Sequence, residues 1–194
     1  TSEALDCHYS ISGSGPAIFL THGIGAAEDA WRFITPKLSE NFTVITYDLR
    51  GHGKSPVTNK DFGLDDLVLD LERIREKTNI NKAHFAGHSL GGMIVPAYAK
   101  KYPDKVLSIG MLSTVAGRSE EDSKKVWSVI KEMEEKGIKE TLEKLTTRWF
   151  TDEFITNNSE LVTRRLKQVV DTDPEVFLNV FRIYAKTEMI SWLK

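Results

Sequence analysis

One short segment combines a potential nucleophile with glycines at a fixed spacing. Gly87, Ser89 and Gly91 fit the pattern G-x-S-x-G, in which a serine occupies a tight turn between a strand and a helix. Glycine is required on both sides because a side chain two positions from the serine would collide with the backbone. The following helix points its free N–H groups and positive dipole end towards the serine. A glycine-rich turn used only for helix packing is the alternative, but the strand before and the helix after favour a nucleophile.

A second glycine-rich segment, at residues 22–25, follows an early apolar run. A sharp turn there leaves the N–H of Ile24 free to point at the reaction centre, and the N–H of Leu90 supplies a second donor. Two such donors form an oxyanion hole, in which the loss of one typically raises the barrier by about 3 kcal/mol. His22 precedes the turn, so we interpret it as a structural hydrogen-bonding residue rather than a general base.

A third segment, residues 48–55, has a Gly-x-Gly turn flanked by Asp48, Arg50 and Ser55. It lacks the G-x-x-x-x-G-K-[ST] spacing of a phosphate-binding P-loop, so we predict a self-bonded loop in which Asp48 and Arg50 tie neighbouring backbone. The single cysteine, Cys7, excludes an internal disulfide and a cysteine-based metal cluster. We therefore predict no metal site built on cysteine.

The elements around these segments alternate between strands and helices. Short apolar runs typical of strands occupy residues 4–11, 17–21, 42–47, 82–86 and 106–112, and helical periodicity occupies residues 64–74 and 93–100. This alternation predicts an α/β fold with a mainly parallel sheet flanked by helices. After about residue 117 strand patterns cease, so we predict a sheet core at residues 1–117 and a helical block at 118–194.

Composition excludes several classes of protein. The 194 residues are 40% apolar with a formal charge of −2, which is typical of a globular chain and excludes a disordered one. Near-neutral charge gives no general attraction to nucleic acid or anionic membranes. No apolar run reaches the roughly 18 residues of a membrane span, and the N-terminus has no signal-peptide pattern. We therefore expect a cytoplasmic protein without nucleic-acid or membrane partners.

The order of the three motifs resembles the α/β-hydrolase fold family: HGIG at 22–25, DLRGHGKS at 48–55 and GHSLGG at 87–92. GHSLGGM, AYAKKYPDKV, LSTVAGR and RWFTDEF are similar to 3-oxoadipate enol-lactonases and related small esterases. The resemblance implies that Ser89 is the nucleophile, that Ile24 and Leu90 are the oxyanion donors, and that residues from 118 onwards form a cap over the site.

The activity that this resemblance implies is hydrolysis of a small ester or lactone without a cofactor. Serine rather than aspartate at position 89 disfavours dehalogenase and epoxide hydrolase chemistry. The alternative within enzymes is a cofactor-free haloperoxidase-like or general carboxylesterase activity. Caps select substrates, so Trp127 and Trp149 are candidate apolar contacts. Arg118 and Arg148 are candidate partners for a substrate carboxylate.

The sequence departs from the family after Ser89, because all five histidines precede that residue and no strand pattern follows the cap. We therefore expect the C-terminal strands of the fold, with the triad Asp and His, to be missing from this chain. A fragment or split enzyme, a non-catalytic binding module, and a hydrolase that uses His52 as its base are the alternatives. The uncovered strand at residues 106–112 predicts a C-terminal complementing chain or self-association as partner.

Overall fold

A computed structural model describes residues 3–193, apart from the side chain of Glu143. Its five strands form one sheet in the order β1-β3-β2-β4-β5, with β1 antiparallel to β3 and the other neighbours parallel. The predicted mainly parallel sheet is confirmed. The strands are β1 (Tyr9–Ser12), β2 (Ala17–Thr21), β3 (Thr43–Tyr47), β4 (Ala83–His88) and β5 (Val106–Leu112).

Helices cover the two faces of the sheet. These helices are α1 (Thr35–Leu38), α2 (Leu64–Lys77) and α3 (Gly91–Lys101). A 3₁₀ turn at Glu28–Trp31 precedes α1. Beneath α3, Phe19 and Phe85 stack with ring centroids 5.0 Å apart, and Tyr98 packs 4.6 Å from Phe85. On the opposite face Trp31 packs on Leu20 of β2. Burial on both faces explains why the central strands have nearly continuous apolar sequences.

The chain after β5 is helical, as its sequence predicts. Ser119 caps the first of these helices by accepting a hydrogen bond from the N–H of Asp122, and Asp173 caps the last, which begins at Pro174. No helix within residues 3–193 is both long enough and apolar enough to cross a membrane. The five helices are α4 (Glu120–Lys136), α5 (Ile138–Trp149), α6 (Asp152–Asn157), α7 (Ser159–Asp171) and α8 (Pro174–Lys186).

The first strand begins later than its alternating sequence predicts. Residues 4–8 lie outside the sheet because their backbone has other partners: the N–H of Leu5 donates to the buried carboxylate of Asp70 at 2.7 Å. The N–H of His8 donates to Ser55 Oγ at 2.9 Å. The alternation of apolar and polar residues therefore indicates an extended segment here, but only its second half, from Tyr9, pairs with β3.

Strand β5 is the outermost strand on its side of the described sheet. Its sequence, VLSIGML, carries no charge and no proline, although edge strands commonly carry such residues to prevent pairing. Leu107 and Leu112 remain 53% and 45% exposed, with Ile109 and Met111 also exposed. The edge is therefore an apolar surface with backbone groups available to a further strand.

Candidate active site

The turn between β4 and α3 holds Ser89 in a strained conformation. Its φ of 55° lies in the left-handed region, which a residue with a side chain rarely adopts. The end of β5 and the residues after it hold this conformation: the Ser89 N–H donates to the carbonyl of Leu112 at 2.9 Å, and Thr114 Oγ1 donates to the carbonyl of Ser89 at 2.8 Å. Such strain persists only where the surroundings impose it, and it is characteristic of functional sites.

The two glycines of the motif permit backbone contacts that no side chain would tolerate. A Cβ on Gly87 would lie 2.0 Å from the carbonyl oxygen of Gly91, and a Cβ on Gly91 would lie 2.2 Å from the carbonyl oxygen of Thr21. Gly23 is also close, since a Cβ there would meet the Cβ of Ser89 at 3.1 Å. The turn therefore packs directly against the loop that follows β2.

That loop and the start of α3 present two unused N–H groups. His22 Nδ1 bonds the carbonyl of Gly23 at 2.8 Å. Because a trans peptide directs its C=O and N–H in opposite directions, this bond turns the N–H of Ile24 away from His22. Among the described residues, neither the N–H of Ile24 nor that of Leu90 has an acceptor. The two predicted oxyanion donors are therefore free of other hydrogen bonds.

Two buried histidines fix this loop, and their hydrogen bonds define their tautomers. Nε2 of His22 accepts the N–H of Leu49 at 2.9 Å, so Nδ1 must carry the proton donated to Gly23. Likewise Nε2 of His52 accepts the N–H of Gly25 at 3.1 Å, and Nδ1 donates to the carbonyl of Arg50 at 3.0 Å. Both rings are neutral and fully bonded. His22 thus has the predicted structural role, and His52 has no nitrogen left to act as a base.

These histidines predict an acid-sensitive fold. Burial lowers the pKa of His22 to about 3 and that of His52 to about 4, from an ordinary value of 6.5. Their stabilising effect is complete above pH 6.5 and is lost as the pH falls towards 4, because the unfolded chain then binds more protons. We expect the free energy of unfolding, from urea titrations, to fall below pH 6.5 by up to about 1.4 kcal/mol per pH unit for each histidine.

His52→Gln tests the origin of this slope, because glutamine supplies a donor and an acceptor but does not titrate. We expect this variant to lose about half of the pH dependence that His22 and His52 together contribute between about pH 6.5 and pH 4.5, a window above most carboxyl titrations. A free energy of unfolding that is independent of pH in that window would show that the two rings are not buried as neutral groups.

No described residue is placed to deprotonate Ser89. Within residues 3–193 the hydroxyl of Ser89 has no hydrogen-bonding partner, and His22 and His52 are fully bonded. His84 bonds Ser108 Oγ at 2.8 Å. His88 lines the same cavity as Ser89, and burial lowers its pKa, but it forms no hydrogen bond among the described residues. The described chain therefore presents the predicted nucleophile and the two predicted oxyanion donors without a general base.

Ser89 opens into a cavity of about 680 Å³ between the sheet and the cap. Two of the predicted substrate-binding residues, Arg148 and Trp149 at the end of α5, line it. The remaining walls are largely apolar and come mainly from the cap, with Ile24 on the sheet side; the cap residues include Val126, Val129, Leu145, Phe150, Phe154, Leu161, Phe181 and Tyr184. The volume suits a small organic substrate.

The other two predicted contacts lie outside this lining. Trp127 is 38% exposed because α4 directs the adjacent Val126 and Val129 towards the cavity and leaves Trp127 on another face. Arg118 is buried behind the wall, where its guanidinium stacks 4.2 Å from the ring centre of Tyr184. Neither residue reaches the cavity in this structure, so the prediction that they contact substrate needs correction.

The cavity is electropositive. Arg32, Arg148, Arg164 and Arg165 line it, and its described lining contains no Asp or Glu. Sequence analysis did not single out Arg32, Arg164 or Arg165. The sequence pattern that could have identified Arg165 is its helical spacing with Leu161 and Gln168, which places the three residues on one face of α7. That spacing identifies a face, but only the folded cap shows what the face contacts.

One group of side chains has the composition of a metal site. Ligand atoms of His8, Glu28 and Asp48 lie within 4.8 Å of one another. Their oxygens already have protein donors: Asp48 accepts the N–H groups of Glu28 and Lys54 at 2.7 and 2.9 Å, and Glu28 accepts from His8 and Thr46 at 3.0 and 3.1 Å. These bonds account for His8, Glu28 and Asp48 as a structural hydrogen-bond network rather than a metal site.

The loop after β3 is the self-bonded loop that the sequence predicts. Besides the bonds to Asp48, Arg50 forms a two-pronged ion pair with Asp70 of α2, with both N···O distances at 2.7 Å. Arg50 also donates to the carbonyls of Glu3 and Asp66 at 3.2 and 3.3 Å. Such a buried pair fixes the loop that carries His52, and through it the turn at Gly25.

Comparison with known protein families gives one extended match. Residues 16–170 match the family described as alpha/beta hydrolase fold. Over 177 residues the chain is 30% identical to 3-oxoadipate enol-lactonase 1 of Acinetobacter baylyi, covering 91% of this chain and 65% of that protein. The chain therefore spans less than two thirds of this relative's length.

Solved structures show the same fold. The enol-lactonase from Burkholderia xenovorans LB400 superposes with a TM-score of 0.86 at 23% identity, covering 96% of this chain and 74% of that one. A bromoperoxidase from Bacillus anthracis also gives a TM-score of 0.86, at 21% identity, with 97% and 73% of the two chains covered. At these identities the likeness concerns the fold alone.

Proposed function

Because the chain belongs to the α/β-hydrolase fold family, we propose that it provides the nucleophile, oxyanion hole and cap of a serine hydrolase acting on esters or lactones. The observation that carries the proposal is the strained Ser89, with φ of 55°, in the lining of the cavity. A residue with a side chain adopts this conformation at a cost of order 1–3 kcal/mol. The strained conformation would present the Ser89 hydroxyl to a substrate in the cavity, which would explain why the conformation is retained.

The reaction proceeds through an acyl-enzyme. Ser89 Oγ bonds to the carbonyl carbon of the substrate while its proton passes to a base. The negative charge on the carbonyl oxygen is stabilised by the N–H groups of Ile24 and Leu90. Cleavage of the C–O bond releases the alcohol or enol, which takes up the proton. Water then attacks the acyl group in the same way, releasing the acid and restoring Ser89.

The base that this reaction needs would reach Ser89 from outside the described residues. Strand β5 supports a source for this base. Its edge is apolar, and its last residue, Leu112, holds the Ser89 turn together with Thr114 just beyond it. A C-terminal complementing chain, or a second copy associated through β5, would extend the sheet next to the nucleophile. Either partner could place a general base next to the Ser89 hydroxyl.

The electropositive cavity favours an acidic substrate, as in an enol-lactonase-like hydrolase. Arg148 is the best placed of the four arginines, because within the described residues its guanidinium has no ion pair or hydrogen bond. Arg32 and Arg165 donate to backbone carbonyls, and Arg164 pairs with Asp29. The apolar walls would hold the remainder of a small acyl group.

Ester hydrolysis tests this proposal. With imidazole added as a base, we expect the chain to hydrolyse p-nitrophenyl esters above the Ser89→Ala background, with a lower KM for an ester carrying a free carboxylate. Arg148→Gln should raise the KM for the acidic ester about 10-fold relative to the neutral one, since a charge-assisted hydrogen bond contributes about 1.5–3 kcal/mol. Arg182→Gln is the matched control, because Arg182 pairs with Glu134 outside the cavity lining. Equal rates for wild type and Ser89→Ala would refute the proposal.

Three other functions are candidates, and two of them are enzymatic. The bromoperoxidase neighbour favours a cofactor-free haloperoxidase-like activity, which would use the same serine and oxyanion donors. Preference for neutral esters over acidic ones would support it or a general carboxylesterase. The absence of a base among the described residues favours a non-catalytic binding module. Failure of imidazole to promote any Ser89-dependent turnover would support that alternative.

A further inference from the structure

An arginine of the cap contacts the backbone of the loop that follows β2, which we call the oxyanion loop (residues 22–27). Arg165 of α7 donates from Nη1 to the carbonyl of Gly25 at 2.5 Å and from Nη2 to the carbonyl of Ile24 at 2.6 Å. Its guanidinium also lies 4.6 Å from the ring centre of Trp149. The planar fork of arginine thus spans two consecutive peptide groups, which the point charge of a lysine does not do.

These bonds complete the restraint of the loop. The sheet side holds the carbonyl of Gly23 through His22 and the N–H of Gly25 through His52. The cap side holds the next two carbonyls through Arg165. The N–H of Ile24 shares its planar peptide with the Gly23 carbonyl, which His22 holds. The next two peptides are held by His52 and Arg165, so Ile24 is restrained on both sides of its Cα, and two of these four bonds come from Arg165. Half of this restraint therefore depends on the cap.

Packing adds a steric restraint at the same turn. Gly25 has φ of 60°, and a Cβ there would lie 2.6 Å from a ring carbon of Phe177 in α8 and 3.1 Å from a methyl of Val169 in α7. The cap helices thus rest directly on the loop. Next to Arg165, Arg164 and Gln168 both bind Asp29, with the Gln168 contact at 2.7 Å.

The electrostatics of Arg165 match this role. Burial lowers its pKa to about 10, and within the described residues it pairs with no carboxylate. The two carbonyl dipoles therefore solvate a largely buried cation. Displacing the cap would break both bonds and expose the loop backbone to water.

We propose that Arg165 is a positioning residue that couples the oxyanion hole to the docked cap: its guanidinium holds Ile24 and Gly25 so that the Ile24 N–H points at the substrate oxygen. The inference rests on the proposed acyl transfer by Ser89. Arg165 acts through the loop and does not bind the substrate. Movement of α7 away from the sheet consequently inactivates the site without displacing Ser89.

The test compares Arg165→Met, Arg165→Lys and Lys167→Met with the wild-type chain. Hydrolysis of a neutral and an acidic p-nitrophenyl ester is measured with added imidazole, and amide hydrogen exchange of residues 22–27 is measured without substrate. We expect Arg165→Met to lower kcat about 100-fold for both esters with little change in KM, as for the loss of an oxyanion donor. Exchange in residues 22–27 should accelerate, and Arg165→Lys should recover part of both effects.

Lys167→Met is the matched control, since it also removes a cation of α7, but Lys167 pairs with Asp171 outside the cavity lining and the two carbonyl bonds remain. We expect much smaller effects from it. A higher KM for the acidic ester alone in Arg165→Met would show a substrate-binding residue and overturn the inference, as would unchanged exchange and kcat. If the wild-type chain shows no Ser89-dependent turnover, the proposed function fails; exchange then decides separately whether Arg165 holds the loop.

Discussion

Gly87→Ala is expected to destabilise the fold by about 3–5 kcal/mol and to abolish any reaction at Ser89. The new Cβ would lie 2.0 Å from the Gly91 carbonyl oxygen and 2.6 Å from the Gly92 nitrogen. Because both atoms are backbone in the first turn of α3, they cannot rotate away as a side chain would. Relief requires α3 to move from β4, and this movement would dismantle the turn that holds Ser89.

Gly110→Ala is the matched control for this prediction. Gly110 lies on β5 beside β4, but a Cβ there would meet only Ala86, at 3.4 Å, which is an ordinary van der Waals distance. We expect a change in the free energy of unfolding within about 1 kcal/mol, and unchanged reactivity of Ser89. Urea titrations of the two variants measure the difference. Equal stability of Gly87→Ala and Gly110→Ala would contradict the described geometry of the turn.

The parts of the site that the sequence predicts are those fixed by local backbone geometry. Gly87 lies at the end of β4, Ser89 in the turn and Gly91 at the start of α3, so their spacing within one strand-turn-helix unit indicates the conformation. The parallel strands were predictable for a similar reason, because burial on both faces requires continuous apolar runs. The structural role of His22 followed from its position before the turn, whereas its tautomer required the distance to Leu49.

The cap contacts could not be predicted because they depend on how separate helices dock. Helical spacing shows that Trp127 and Val126 point in different directions, but it does not show which direction faces the cavity. Arg165 contacts residues about 140 positions earlier in the chain. Its sequence environment resembles that of Arg164, whose side chain is more exposed and binds Asp29. Only the docked position of α7 distinguishes the two.

Ser89→Ala is expected to abolish the covalent reaction of the chain with a fluorophosphonate. This class of reagent reacts with serines that are positioned beside an oxyanion hole. The free hydroxyl of Ser89 meets that condition, but no base bonds it within the described residues. We therefore expect slow labelling of the wild-type chain, because positioning and oxyanion stabilisation alone retain about 10³–10⁴-fold catalysis over water. Added imidazole, which the cavity of about 680 Å³ admits, should accelerate labelling as a substitute base.

Fluorophosphonate labelling with and without imidazole, mapped to a residue by peptide mass spectrometry, tests the nucleophilic role of Ser89 most directly. We predict a label on Ser89 whose rate rises with imidazole concentration, and none on that peptide in Ser89→Ala. Ser113, which also lines the cavity and has a positive φ of 45°, provides an internal comparison that should stay unlabelled. Labelling at the same rate in wild type and Ser89→Ala, or a label on Ser113 in place of Ser89, would contradict the account.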